Sequence, residues 1–107
     1  MMIEKDEKTN IDVFGYLYII KTRESIRMNE DIYKIGCTSD IIRRYKQYPK
    51  GSRIFYTILN NNYKNVEKKW IKILNNNKIL INRKDMGKEY YEGDYKELIN
   101  ELSNIIL

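Results

Sequence analysis

The chain has 107 residues, with twenty Lys and Arg against fifteen Asp and Glu for a formal charge of +5, one cysteine and no histidine. That length fits one domain with one modest core, and the positive balance favours an anionic partner. A single cysteine excludes an internal disulfide framework and a cysteine-rich zinc site, and the missing histidine excludes Ser-His-Asp chemistry.

Residues 1–12 read as a polar tail without the apolar stretch of a secretory leader, and residues 13–107 as one domain. No apolar run nears membrane-spanning length, so the expectation is an intracellular protein, cytoplasmic or nuclear, that makes no use of a membrane. The aromatic and β-branched run 14–20 (FGYLYII) predicts a strand, 21–30 a charged loop, and 31–37 (DIYKIGC) a second strand pairing with the first as a hairpin. Ser39 or Asp40 serves as N-cap of a helix that carries Ile41, Ile42 and Tyr45 toward the core and holds Arg43, Arg44 and Lys46 on its other side, until Pro49-Lys50-Gly51 stops it.

Residues 53–59 (RIFYTIL) predict a third strand. Val66, Trp70, Ile73 and Leu74 fall at i, i+4, i+7 and i+8, the stripe of a second helix, with Glu67 beside it. A short extended piece at 79–82 leads to KEYYEG at 88–93, and Asp94 with Glu97 resembles a capping box opening a last helix. The order β-β-α-β-α-(β)-α gives an α/β (α+β) sandwich, with a small, mainly antiparallel three-stranded central sheet flanked by helices.

Tyr16-Leu17-Tyr18, Lys34-Ile35-Gly36 and the arginine-bearing helix together resemble the GIY-YIG nuclease superfamily, in the KIG-type branch common in large DNA viruses and phages. In that family a helical arginine follows the second motif's glycine by eight residues, and Arg44 stands eight after Gly36. The segment 67–75 (EKKWIKILN) is similar to the Glu-x-x-Trp-Ile-Lys-x-Leu-Asn helix of phage intron homing endonucleases. Asn82, fifteen residues after Glu67, falls where those enzymes carry an active-site asparagine, and GKEYYEG at 87–93 is similar to a tail of the viral branch. The resemblance covers residues 14–98 and departs from the pattern at Tyr16, which replaces the first motif's glycine, and at Lys34, which replaces the second motif's tyrosine.

The resemblance implies a DNA endonuclease that hydrolyses phosphodiester bonds with one divalent ion, Mg²⁺ or Mn²⁺. Tyr18 would act as general base or orient the water, Arg44 would contact the scissile phosphate, and Glu67 would hold the metal. Lys34 would add positive charge or lower the effective pKa of Tyr18, and Asn82 would join the site. Arg43, Lys46, Lys50 and Arg53 gather around the first helix and suit a nucleic-acid backbone. Singly, each candidate has a plain reading: Tyr18 as a strand aromatic, Arg44 as a solvated charge, Glu67 as a surface carboxylate, Lys34 as an edge gatekeeper, Asn82 as a turn residue. The coincidence of Tyr18, Arg44 and Glu67 at the spacing of the family they resemble is what favours a nuclease-type site. Two rival readings are an inactive nucleic-acid-binding module on the same fold and a protein-interaction domain using aromatic surface around Tyr90 and Tyr91. The oligomeric state is open, a homodimer being one candidate.

Overall fold

The computed structural model describes residues 14–106; the tail read at 1–12 lies outside the described residues. In chain order the elements are β1 (Gly15–Lys21), α1 (Arg23–Arg27), β2 (Ile32–Thr38), α2 (Ile41–Lys46), β3 (Arg53–Asn60), α3 (Tyr63–Asn76), β4 (Ile81–Asn82), β5 (Tyr90–Glu92) and α4 (Tyr95–Ile106). All strands pair antiparallel in one sheet of order β3-β1-β2-β5-β4.

The sheet has five strands, which corrects the expected three. β4 and β5 span two and three residues, too few for a period of two to register, and they become strands only through pairings such as Ile32↔Glu92 and Ile81↔Glu92. The segment expected as a plain charged loop likewise contains α1. Its first residue is tied down from afar, because Arg23 N donates to Ser52 Oγ at 3.0 Å.

β1 is central, and the run of consecutive apolar residues that marks it in the sequence is needed because both of its faces are covered. Leu17, Tyr18, Ile19 and Ile20 are each no more than 1% exposed. Successive side chains on a strand point to opposite faces. Leu17 and Ile19 therefore join Tyr33, Ile35 and Tyr91 beneath Val66, Trp70 and Leu74 of α3 and Leu98 and Leu102 of α4. Trp70 is fully enclosed and donates Nε1–H to Leu98 O at 2.9 Å, so its ring locks α3 onto α4. Removing such a ring typically costs about 3–5 kcal/mol.

The other face of the sheet carries Tyr18 toward α2 and the segment after it. Asp40 is the N-cap of α2, its side chain accepting from Arg43 N at 3.1 Å. Ile41, Ile42 and Tyr45 do not all turn to the core: α2 buries no residue, and Ile42 is 68% exposed. The helix is only six residues long, and of the three Ile41 alone is partly covered, Tyr45 being 40% exposed while its hydroxyl donates to Ser52 O. At α4, Asp94 accepts from Lys96 N at 3.0 Å, whereas the Glu97 carboxylate expected in a capping box accepts from Asn77 Nδ2 at 2.8 Å.

Candidate functional site

β2 has β1 on one side along its length through Thr38, but on the other side β5 stops at the pair Lys34↔Tyr90. One further backbone bond, Ile35 N to Glu89 O at 3.0 Å, closes that side. Past it, Gly36, Cys37 and Thr38 have no strand neighbour on that side. α2 and α3 approach this short edge from opposite faces of the sheet, and the polar groups gather there.

Tyr18 is the cross-strand partner of Gly36. A Cβ at Gly36 would stand 2.5 Å from Tyr18 Cζ, so the missing side chain is what lets the ring lie across β2 toward its open edge. There the Tyr18 hydroxyl is 2.9 Å from Tyr48 OH and accepts from Arg44 Nη1 at 3.3 Å. Arg44 also reaches Cys37 O at 3.5 Å. From the opposite face, the Glu67 carboxylate comes close enough to the Cys37 thiol for each to influence the other's ionisation. Lys34 Nζ lies 3.6 Å from Glu89 Oε1 and 5.8 Å from the ring centres of both Tyr48 and Tyr90. Tyr18, Lys34, Arg44 and Glu67 thus come from two strands and two helices to one edge.

Burial pushes the Glu67 carboxyl above the usual carboxylate range, and the nearby Glu89 adds to the rise, against the Cys37 thiol, Lys34 and Arg44. Burial also drives the Tyr18 phenol well above its ordinary value, aided by Tyr48, while Lys34 is the weakest of the opposing influences. Lys34 does act in the expected direction, lowering the Tyr18 pKa, but burial and Tyr48 outweigh it. Tyr18 and Tyr48 are neutral phenols at neutral pH, able both to donate and to accept. The Cys37 thiol, pushed up to about 12 by burial and then by Glu67, is neutral as well and no nucleophile.

Arg43 lines a polar hollow of about 280 Å³ with Arg44, Asp40 and Gln47. Lys46 and Lys50 line a second, of about 360 Å³, with Tyr45, Tyr48 and Pro49. Arg53 sits apart, exposed at the start of β3 and opposite Lys21. Asn82 is not brought to Tyr18 and Arg44. Its Nδ2 donates to Asn75 Oδ1 at 2.6 Å, in a cavity it shares with Glu89. Among the described residues, no three His, Cys, Asp or Glu side chains are grouped so as to hold a metal ion. A hard ion that keeps its waters and takes phosphate oxygens needs only one or two carboxylates, and Glu67 with Glu89 nearby fits that pattern.

Tyr48 and Glu89 escaped the sequence reading. Tyr48 follows Arg44 by four residues, a spacing that keeps two side chains together, but it lies beyond the last residue of α2. Glu89 lies in KEYYEG at 88–93, where no local spacing ties it to Lys34. Of the aromatic surface expected around Tyr90 and Tyr91, Tyr91 is 0% exposed and belongs to the core, while Tyr90 is partly exposed.

A family model described as the T5orf172 domain matches residues 15–106. No curated protein and no solved structure matches the chain. The match corrects the reading of Tyr16-Leu17-Tyr18 and Lys34-Ile35-Gly36 as marks of the GIY-YIG superfamily; the family is a different one, also of small nuclease-like domains. Three-residue strand motifs recur by chance among β-rich sequences, and a match across the whole domain outweighs them. Among the described residues, no helix is long and apolar enough to cross a membrane.

Proposed function

From the chain's membership of the T5orf172 domain family, a family of nuclease-like, DNA-binding domains, we propose that it is a divalent-metal-dependent DNA endonuclease acting at the open edge of β2. The observation that carries this reading is the meeting of Arg44, Tyr18 and Tyr48 on one side of Cys37 with Glu67 on the other.

Arg44 supplies the fixed positive charge for a phosphate, and its tether to the Tyr18 hydroxyl and Cys37 O pre-orients the guanidinium before DNA arrives. Tyr18 holds and orients the attacking water rather than serving as a phenolate base, because its proton is bound too tightly for neutral pH. Tyr48 keeps the Tyr18 hydroxyl in place. Glu67 would hold Mg²⁺ or Mn²⁺, which when bound would stabilise the leaving oxygen. Lys34, braced by Glu89, adds positive potential beside the same phosphate. Arg43, Lys46 and Lys50 track the flanking backbone.

Incubation of the purified protein with supercoiled plasmid tests the proposal, with Mg²⁺ or Mn²⁺ and with a chelator. The expected result is nicked or linear DNA only when the divalent ion is free. Intact plasmid under every divalent ion, together with salt-sensitive DNA binding, would replace the nuclease by the binding-module reading.

A further inference from the structure

A cavity that shares Glu89 with the site lies beside it rather than in it. It measures about 480 Å³, within the roughly 300–1,000 Å³ of small-molecule pockets. Ile71 and Asn75 of α3 form one wall and Lys84, Lys88 and Glu89 another, with Asn82 of β4 between them. Glu67, Ile71 and Asn75 stand at i, i+4 and i+8 on α3, so the cavity opens along the same helix stripe as Glu67.

The cavity is built before any ligand arrives. Arg83 is clamped by Asp85 at 2.9 and 3.0 Å and by Glu92 at 2.9 Å, which fixes the loop between β4 and β5. Tyr91 OH and Asn82 Nδ2 both donate to Asn75 Oδ1, at 2.8 and 2.6 Å. That arrangement dictates the orientation of the Asn82 amide and leaves Asn82 Oδ1 shielded from water with no donor. Such an orphan acceptor is rare, and the terminal torsion of asparagine is broad enough for a modest rotation to turn it to an incoming N–H.

The surroundings match one chemical class. Ile71 offers an apolar surface for a planar ring, Asn82 Oδ1 and Glu89 offer acceptors, and the exposed Lys84 and Lys88 suit flanking phosphates. We propose that this cavity takes a nucleobase swung out of the DNA stack, of the kind that carries an exocyclic amine. The inference rests on the nuclease reading above and adds a substrate requirement to it: DNA that is unpaired, mismatched or easily unstacked is favoured, because extrusion is then least costly.

A short duplex in which every adenine is replaced by 2-aminopurine tests it, since that base brightens when it leaves the stack. Binding is followed separately by anisotropy of an end label. The expected result is a several-fold rise in 2-aminopurine emission on binding, reduced on the order of tenfold in Asn82→Leu and in the surface double variant Lys84→Ala/Lys88→Ala, while anisotropy still reports complex formation. Binding without a rise in the wild-type protein overturns the cavity's role and leaves the nuclease reading standing. A rise that survives in both variants places extrusion elsewhere and overturns it too. No binding at all overturns the nuclease reading itself, and this inference with it.

Discussion

Gly36→Ala is the most searching perturbation of the site, because it adds one methyl group where Tyr18 crosses β2. Gly36 does not occupy the left-handed region, where Gly51, Gly87 and Gly93 do, so alanine is tolerable to its backbone. The objection is steric alone: the new Cβ would meet the Tyr18 ring at 2.5 and 3.0 Å. Over-packing of this kind costs about 1–3 kcal/mol. Displacing the ring also threatens the Tyr48 and Arg44 hydrogen bonds to its hydroxyl, each worth about 1 kcal/mol. A loss of roughly 2–5 kcal/mol follows, set against a total stability of about 5–15 kcal/mol for a domain of this kind. Thermal unfolding should show it as a fall in Tm of at least about 8 °C. The same substitution in a Tyr18→Ala background meets no ring, and there it should stabilise by about 0.5–1 kcal/mol, as alanine commonly does against glycine inside a strand. Equal destabilisation in the two backgrounds would refute the account of how Tyr18 reaches the edge of β2.

Glu67→Gln should abolish divalent-dependent plasmid cleavage while leaving DNA affinity nearly unchanged, whereas Arg44→Ala should weaken both, because a phosphate contact acts in the ground state as well as the transition state. The same Glu67→Gln variant should melt higher than wild type at neutral pH: burial raises the folded pKa of Glu67, so its protonated form adds stability that is present below the unfolded pKa and lost as pH rises through the folded one. The gap in melting temperature should close in acid, and a variant that melts lower at neutral pH contradicts the assignment. DNA affinity should fall steeply with salt, and Lys46→Ala or Lys50→Ala should each reduce the slope of log K against log salt by about 1, measured by anisotropy.

The long elements were legible because their patterns are local. The consecutive apolar run of β1 and the i, i+4, i+8 stripe of Val66, Trp70 and Leu74 need only a short window of sequence to be seen. β4 and β5 were not legible, since what makes Ile81 and Tyr91 strand residues is a partner elsewhere in the sheet. The site divides in the same way. Arg44 and Glu67 were singled out by the motifs they resemble, whereas Tyr48 joins Tyr18 across thirty residues and Glu89 joins Lys34 through a loop that no period predicts. Lys34 illustrates the limit most plainly: its charge was visible, yet its effect on Tyr18 is overridden by burial and by a tyrosine that only the folded chain supplies. The family was misread for a related reason, since short motifs carried the resemblance while the whole-domain pattern belonged to another family.

The hairpin of β4 and β5 holds to the sheet by two- and three-residue ladders, with Tyr91 as its buried anchor, while β1 is sewn to both β2 and β3 along its length. The sheet is therefore uneven in cooperativity. Amide hydrogens of β5 should exchange through a partial opening that leaves β1 protected until the whole domain unfolds. Asn82 and Glu89 ride on that hairpin, whereas Tyr18, Arg44 and Glu67 belong to the firmer part. Warming should detach one flank of the site while the rest keeps its native shape, so that activity is lost at a lower temperature than the fold and returns on cooling.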